Sequence, residues 1–105
     1  MKVRYLIALT AALAVSSVAF AAEDGEAVFN KNKCAACHKL DAKTVGPSIK
    51  AVAAKYAGNK EAAATLEKKV RTGGAGVWGA MPMPRVPATV PDEEIKTMVA
   101  WILAH

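Results

Sequence analysis

Two cysteines and a histidine stand together in the run CAACH at residues 34–38. Two thiols three residues apart on one turn can reach the two vinyl groups on one edge of a porphyrin, and a histidine directly after them can coordinate its iron. The run therefore predicts one covalently attached haem c. Cys34 and Cys37 would be the attachment points, and His38 would be the first axial ligand.

Three other kinds of site use cysteine and histidine, and each fits the pattern less well. A Cys-x-x-Cys redox pair is typical of a βαβ context, which the helical pattern of this chain does not offer. A zinc site needs a fourth ligand, and the only other cysteine or histidine is His105, at position 105. A plain disulfide between Cys34 and Cys37 would leave His38 without a role.

The second axial ligand decides whether a haem carries electrons or binds small molecules. A methionine thioether occupies the sixth coordination position of the iron, so that electron transfer is the reaction favoured. An iron whose sixth position is open can bind oxygen or peroxide. The run MPMP at residues 81–84 places Met83 between two prolines, which hold the backbone stiff. Met83 is the predicted ligand and Met81 the second choice, while Met98 is expected to fill the core.

Four helices are predicted to position these residues, from capping side chains and apolar spacing. The first follows Asp24, the second follows Ser48, the third is capped by Asn59 and stops at Gly73, and the last begins near Asp92. No strand is predicted. The apolar positions on the helices are Ala27, Val28, Phe29, Ile49, Val52, Ala53, Tyr56, Leu66, Val70, Ile95, Met98, Val99, Ile102 and Leu103.

Residues 73–91 form a long loop that holds all but one of the five prolines. Val77, Trp78 and the two methionines make this loop too apolar for disorder, so it is expected to serve the site. Four short helices give a thin core, and domains of this size are marginal without a metal, staple or cofactor. We therefore expect the chain without haem to be largely unfolded.

The first residues have the layout of a secretory signal peptide. A short basic start carrying Lys2 and Arg4 precedes an apolar stretch shorter than the roughly 20 residues that span a bilayer. A small-x-small sequence then ends at Ala21, so residues 1–21 are predicted to be cleaved, with Ala22 as the alternative end. Residues 22–105 would remain as a single domain in the periplasm, without membrane insertion.

The charge balance favours a protein partner over nucleic acid. The formal net charge of +5 falls once Lys2 and Arg4 leave with the signal, and no run of five basic residues exists. A docking face for an acidic redox partner could be formed by Lys31, Lys33, Lys39 and Lys43. A monomer is expected.

Several motifs together resemble a known family. They are Phe29, the CAACH run, Val45-Gly46-Pro47, Gly76-Val77-Trp78-Gly79, Pro82-Met83-Pro84 and Trp101-Ile102-Leu103. In this order they resemble the small bacterial class I cytochromes c, most of all the short periplasmic kind of nitrite- and oxygen-respiring bacteria. The resemblance implies an all-α cytochrome c fold, with four to five short helices around one haem and the first and last helices crossed.

The resemblance also implies roles for individual residues. Pro47 would accept a hydrogen bond from the His38 ring, Trp78 would donate to a haem propionate, and Lys69 would be a basic propionate partner. One departure is that Arg85 and a slightly longer loop follow Met83, without the asparagine that close relatives place near the thioether sulfur. Arg85 would favour the reduced form if it lies near the haem edge.

The function implied is that of an electron carrier rather than an enzyme. It would be a soluble periplasmic protein that shuttles single electrons between respiratory redox proteins through a haem with His38 and Met83 as axial ligands. The alternative is a haem enzyme or gas sensor in which Met83 is displaceable. A peroxidase would want an acid-base group near the iron, and only His105 is spare.

Overall fold

The computed structural model describes residues 24–105, so the predicted signal segment 1–21 and its cleavage site lie outside the described residues. The described chain forms four α-helices and one short 3-10 helix, with no strand among these residues and a single isolated bridge between Gly74 and Met83. The predicted all-α fold of four to five short helices is confirmed. The helices are α1 (Gly25–Lys31), the 3-10 helix (Cys34–Ala36), α2 (Ile49–Lys55), α3 (Ala62–Thr72) and α4 (Asp92–Leu103).

Side-chain caps fix the start of the first two α-helices. Asp24 accepts a hydrogen bond from the Ala27 N–H at 2.8 Å, and Ser48 accepts one from the Ala51 N–H at 3.0 Å. Each cap satisfies a helix donor that has no partner within the helix. Both predicted helix starts are confirmed.

The third helix begins later than the sequence predicted. The Asn59 side chain accepts from the Glu61 N–H at 2.8 Å, and the Ala62 N–H donates to the Asn59 backbone carbonyl at 3.2 Å. These bonds hold residues 59–61 in a turn, so the helix starts at Ala62. Asn59 thus organises the entry to α3 without capping it directly, because its side chain forms a local turn instead.

The apolar stripe of α4 lies at the centre of the core. Val99, Met98 and Ile95 are almost fully buried, and α4 packs against α1, α2 and α3. Tyr56 and Leu103 are only half-buried and lie at the edge of this core, because each falls at the end of its helix. No helix described within residues 24–105 is long and apolar enough to cross a membrane.

Helices α1 and α4 approach each other closely at Gly25. A Cβ on Gly25 would lie 2.7 Å from the Thr97 carbonyl oxygen, so only glycine fits between the two backbones. The Phe29 and Trp101 rings lie 5.2 Å apart and tilted by 47°, which adds an aromatic contact to the same crossing. This contact brings the first helix, and with it the CAACH run, against the last helix.

Candidate cofactor site

A cavity of about 590 Å³ opens between the helices and the long loop. Its volume lies within the roughly 300–1,000 Å³ of typical small-molecule and cofactor sites. Its inner wall is the apolar face of the core, and the chemically active residues of the sequence analysis lie around it. The lining includes Cys34, Cys37, His38, Pro47, Lys69, Trp78, Met81, Met83, Met98, Phe29, Ile49, Val52, Leu66, Val70 and Ile102.

The 3-10 helix brings both cysteines and the histidine to the cavity. Lys33 precedes it in the left-handed region with φ of 61°, which turns the chain sharply at the end of α1. The N–H groups of Cys37 and His38 then both donate to the Cys34 carbonyl, at 3.1 and 2.9 Å. One tight turn therefore places the two thiols and the imidazole on the same wall.

The His38 ring is held by a backbone carbonyl. Its Nδ1 lies 2.8 Å from the Pro47 oxygen, and because a carbonyl only accepts, Nδ1 carries the proton. The other ring nitrogen, Nε2, then keeps a lone pair that can coordinate a metal. The contact between His38 and Pro47 that the family resemblance implied is thus present in the structure.

The segment around Gly46 closes tightly on the histidine. A Cβ on Gly46 would lie 2.6 Å from the His38 Cε1 atom, so the ring rests directly against the glycine backbone. The Gly46 N–H and the Thr44 hydroxyl both donate to the Cys37 carbonyl, at 2.8 and 2.7 Å. Neither Gly46 nor Thr44 was singled out from the sequence for this role.

The two cysteines are free thiols in this structure. Burial raises the pKa of the Cys34 thiol above its usual range, and the neighbouring Cys37 adds to this, while a backbone hydrogen bond lowers it. Cys34 is therefore held as a neutral thiol against the core at neutral pH.

Met83 lies on the long loop, which lines a different wall of the cavity from the CAACH run. Its N–H donates to the Gly74 carbonyl at 2.9 Å, and the Gly74 N–H donates back to the Met83 carbonyl at 3.0 Å. Met83 is half-buried and packs against the core, whereas Met81 is 67% exposed. Met98 is 2% exposed and lies in the core, as predicted. Of the two loop methionines, Met83 is the one whose backbone is pinned.

The mouth of the cavity carries the residues that the resemblance assigned to propionates. Lys69 is half-buried on α3, with its Nζ 3.3 Å from where a Cβ on Gly74 would lie. Trp78 is 42% exposed, and the Lys55 Nζ lies 5.2 Å from the centre of its ring. This cation–π contact was not predicted, because Lys55 and Trp78 are far apart in the sequence. Arg85 is exposed and is not among the residues that line the cavity.

The residues present fit a haem better than the other cysteine sites. The described chain has no βαβ unit, and within residues 24–105 no group of three or more His, Cys, Asp and Glu side chains could hold a metal ion. The His105 Nδ1–H donates to the Trp101 carbonyl, 2.7 Å away, and its ring packs on Trp101 at the end of α4. An apolar cavity with two thiols, an imidazole and exposed apolar side chains at its mouth suits a large flat group.

Comparison with known proteins gives the same class. The family model for cytochrome c matches residues 22–105. The chain therefore belongs to the cytochrome c family. It is an electron-transfer cytochrome whose cofactor is a covalently attached haem c.

Individual relatives are similar along most of their length. Cytochrome c-551 of Stutzerimonas stutzeri is 48% identical over 99 residues, which cover 94% of this chain and 91% of the relative. Cytochrome c-552 of Hydrogenobacter thermophilus is 44% identical over 96 residues, covering 91% and 93%. The crystal structure of wild-type Nitrosomonas europaea cytochrome c552 superposes with a TM-score of 0.70 at 43% identity, covering 75% of this chain and 96% of that one. The resemblance to small class I cytochromes c is confirmed.

Proposed function

We propose that this protein is a soluble periplasmic carrier that passes single electrons between respiratory redox proteins. The observation that carries the proposal is the pairing of His38 and Met83 around one apolar cavity, with the backbone of each held by hydrogen bonds. A haem c supplies one-electron chemistry when bound. If His38 and Met83 both bind the iron, no coordination position would be left for a substrate.

Each residue of the site has a distinct part in this proposal. Cys34 and Cys37 would form the two thioether links, and His38 would coordinate the iron through Nε2 while its Nδ1–H donates to the Pro47 carbonyl. Met83 would hold the iron together with His38. Trp78 and Lys69, both at the cavity, are proposed to hold the haem propionates, with hydrogen bonding from the indole and positive charge from the ammonium.

Rigid ligands suit a carrier because electron transfer is fastest when geometry changes little between oxidation states. His38 cannot rotate without breaking its 2.8 Å bond to Pro47 and pushing into Gly46. The Met83 backbone is fixed by its reciprocal bonds with Gly74, and prolines precede and follow it. The His38 ring and the Met83 backbone are therefore held before the electron arrives.

The periplasmic location rests on the amino-terminal sequence. Residues 1–21 have the basic start, apolar stretch and small-residue end of a secretory signal, and we propose that export leaves residues 22–105 as the working protein. Covalent attachment suits an exported carrier, because the cofactor cannot dissociate. Mass spectrometry of the purified protein tests this: the expected mass is that of residues 22–105, or 23–105, plus one haem.

The proposed docking face surrounds the CAACH side of the cavity. Lys33, Lys39 and Lys43 are exposed, and Val45 is an exposed apolar side chain beside Lys43. Lys31 differs from them, because its ammonium lies 3.2 Å from Glu94 and part of its charge is compensated. A small surface of exposed lysines and an apolar side chain suits the small, weak interfaces that are typical of transient redox encounters.

The docking face is tested by the rate of electron transfer with an acidic redox protein. Lys39→Gln and Lys43→Gln should slow the second-order rate at low salt and converge with wild type at high salt. Lys96→Gln on α4 is the matched control, as an exposed lysine outside the proposed face. Equal rates for all variants at low salt would contradict this face.

The carrier is distinguished from a gas sensor or haem enzyme by carbon monoxide. A firmly bound Met83 should leave the reduced wild-type spectrum unchanged under carbon monoxide at neutral pH. Met83→Ala should bind the gas readily, because the axial position is then open. Ready binding by the wild-type protein would instead support the displaceable-methionine alternative.

A further inference from the structure

We propose that Arg71 is a positioning residue for Met83, fastening the segment that follows the methionine to the end of α3. The inference rests on the proposed role of Met83 as an axial ligand. Arg71 lies on the last turn of α3, and its side chain is 30% exposed. It does not line the cavity, so it acts through the loop and not by touching the cofactor.

One guanidinium contacts two carbonyls of the segment between Met83 and α4, and also the first residue of α4. Its Nη1 donates to the Pro87 carbonyl at 3.2 Å, and its Nη2 donates to the Val90 carbonyl at 2.7 Å. The same Nη2 lies 2.6 Å from the Asp92 carboxylate at the start of α4. Arg71 therefore links the middle of the loop, its end and the next helix.

The loop needs an external donor because of its own composition. Pro84, Pro87 and Pro91 have no N–H to donate, so the segment can form few hydrogen bonds within itself. The carbonyl of Val90 is partly buried and takes its donor from Arg71. A polar group away from water without a partner would be costly, which makes the arginine contact a condition for this loop path.

The remaining anchors of the loop lie on the last turn of α3 and just after it. The Val86 N–H donates to the Val70 carbonyl at 3.2 Å, and Met83 exchanges hydrogen bonds with Gly74. Val86 and Val90 are also buried in the core. Residues 70–74 thus form the frame on which the Met83 loop is held, and within this frame Arg71 is the residue whose side-chain hydrogen bonds reach the loop.

The geometry calls for arginine rather than any cation. A planar guanidinium can donate to two carbonyls and a carboxylate at once, whereas a lysine ammonium is a single point charge on a flexible stem. Asp92 is 84% exposed, so the ion pair alone contributes little. The two carbonyl contacts are what position the loop.

The test uses the holoprotein with Arg71→Gln and Arg71→Lys, and with Asp92→Asn as the matched control that removes only the ion pair. Amide hydrogen exchange at Val86 should speed up about tenfold in both arginine variants, because charged hydrogen bonds close the loop. Exchange at Val99, in the centre of α4, should change much less. Asp92→Asn should resemble wild type at both positions.

A second measurement shows whether Arg71 positions Met83 or only stabilises the fold. Imidazole added to the oxidised protein competes with the methionine, and its binding should be about tenfold faster in Arg71→Gln and Arg71→Lys, since the loop opens more often. Equal acceleration of exchange at Val86 and Val99 with unchanged imidazole binding would overturn the proposal. So would wild-type behaviour of Arg71→Lys, because the forked contacts would then be dispensable.

Met83→Ala in the same imidazole assay tells the two proposals apart. If imidazole binds this variant no faster than wild type, Met83 is not the ligand, and the assignment of Arg71 fails together with it. If Met83→Ala binds imidazole faster and the arginine variants do not, only the positioning role of Arg71 fails.

Discussion

The two sides of the site are held in different ways. On the histidine side, Pro47, Gly46 and Thr44 all contact residues 37–38, so the imidazole is fixed by chain neighbours within a short segment. On the methionine side, Met83 is tied to Gly74 and its loop is tied to the end of α3. The first arrangement is local, and the second depends on the packing of distant elements.

The histidine and methionine sides should therefore differ in how easily they open locally. Contacts between near neighbours re-form easily after local opening, because little chain entropy is lost in closing a short loop. The methionine loop is long, rich in proline and fastened at a few points, so it has the lower cost of local opening. We therefore expect the iron to lose Met83 before it loses His38 under destabilising conditions.

Removing the cofactor should break both sides at once. The double variant Cys34→Ala/Cys37→Ala leaves a cavity of about 590 Å³ without its covalent occupant. Without the haem, the apolar wall of this open cavity faces water, and a small domain has only roughly 5–15 kcal/mol of stability to offset such exposure. Far-ultraviolet circular dichroism should show most helix lost. Near-native helical signal without haem would contradict this expectation.

Gly73→Ala should damage the methionine side. Its Cβ would lie 2.5 Å from the Met83 carbonyl oxygen, and its φ of 66° already disfavours a side chain. The backbone nitrogen of Arg85 would lie 2.8 Å from the same Cβ. Because both are backbone atoms, we expect the free energy of unfolding to fall by about 2–4 kcal/mol, measured by thermal unfolding. Gly58→Ala is the control, since Gly58 has a φ of 75° and nothing within 4 Å. Equal losses in the two variants would mean that the clash at Met83 is unimportant.

Gly46→Ala should damage the histidine side by about 1–3 kcal/mol. The added Cβ would lie 2.6 Å from the His38 ring, with no left-handed φ to add backbone strain. The ring must shift and its bond to Pro47 must lengthen, so the reduction potential should change as well as the melting temperature. An unchanged potential with an unchanged melting temperature would show that the ring tolerates the extra methyl group.

Lys33→Gly should give the smallest effect, and a stabilising one. Lys33 holds a left-handed φ of 61° just before the CAACH run, a conformation that costs an ordinary residue about 1–2 kcal/mol. Glycine avoids that cost but loses more entropy on folding, so a net gain of about 0.5 kcal/mol is expected. Lys33→Ala removes the same charge without relieving the backbone, and it should not raise the melting temperature.

The local side of the site was readable from the sequence. The caps at Asp24 and Ser48 involve neighbours in the chain and are present as predicted, and so is the contact between His38 and Pro47 that the family resemblance implied. The start of α3 was predicted too early, because Asn59 forms a turn with residues 59–61 that competes with a direct cap.

The contacts between residues far apart in the chain could not be predicted from the sequence in the same way. The contacts of Arg71 with the methionine loop and of Lys55 with Trp78 join residues far apart in the chain. A single arginine or lysine on a helix face looks the same in sequence whether it is solvated or bound. The prolines at 84, 87 and 91 were the one available hint, since they leave carbonyls that need donors from elsewhere.

The central proposal is that Met83 would bind the haem iron together with His38. The absorption spectrum of the oxidised holoprotein tests it most directly, through the charge-transfer band that a methionine-ligated haem shows. The band should be present in wild type and in Met81→Ala, and absent in Met83→Ala, because only Met83 is pinned against the core. Persistence of the band in Met83→Ala, or its loss in Met81→Ala, would contradict the assignment of Met83 as the ligand.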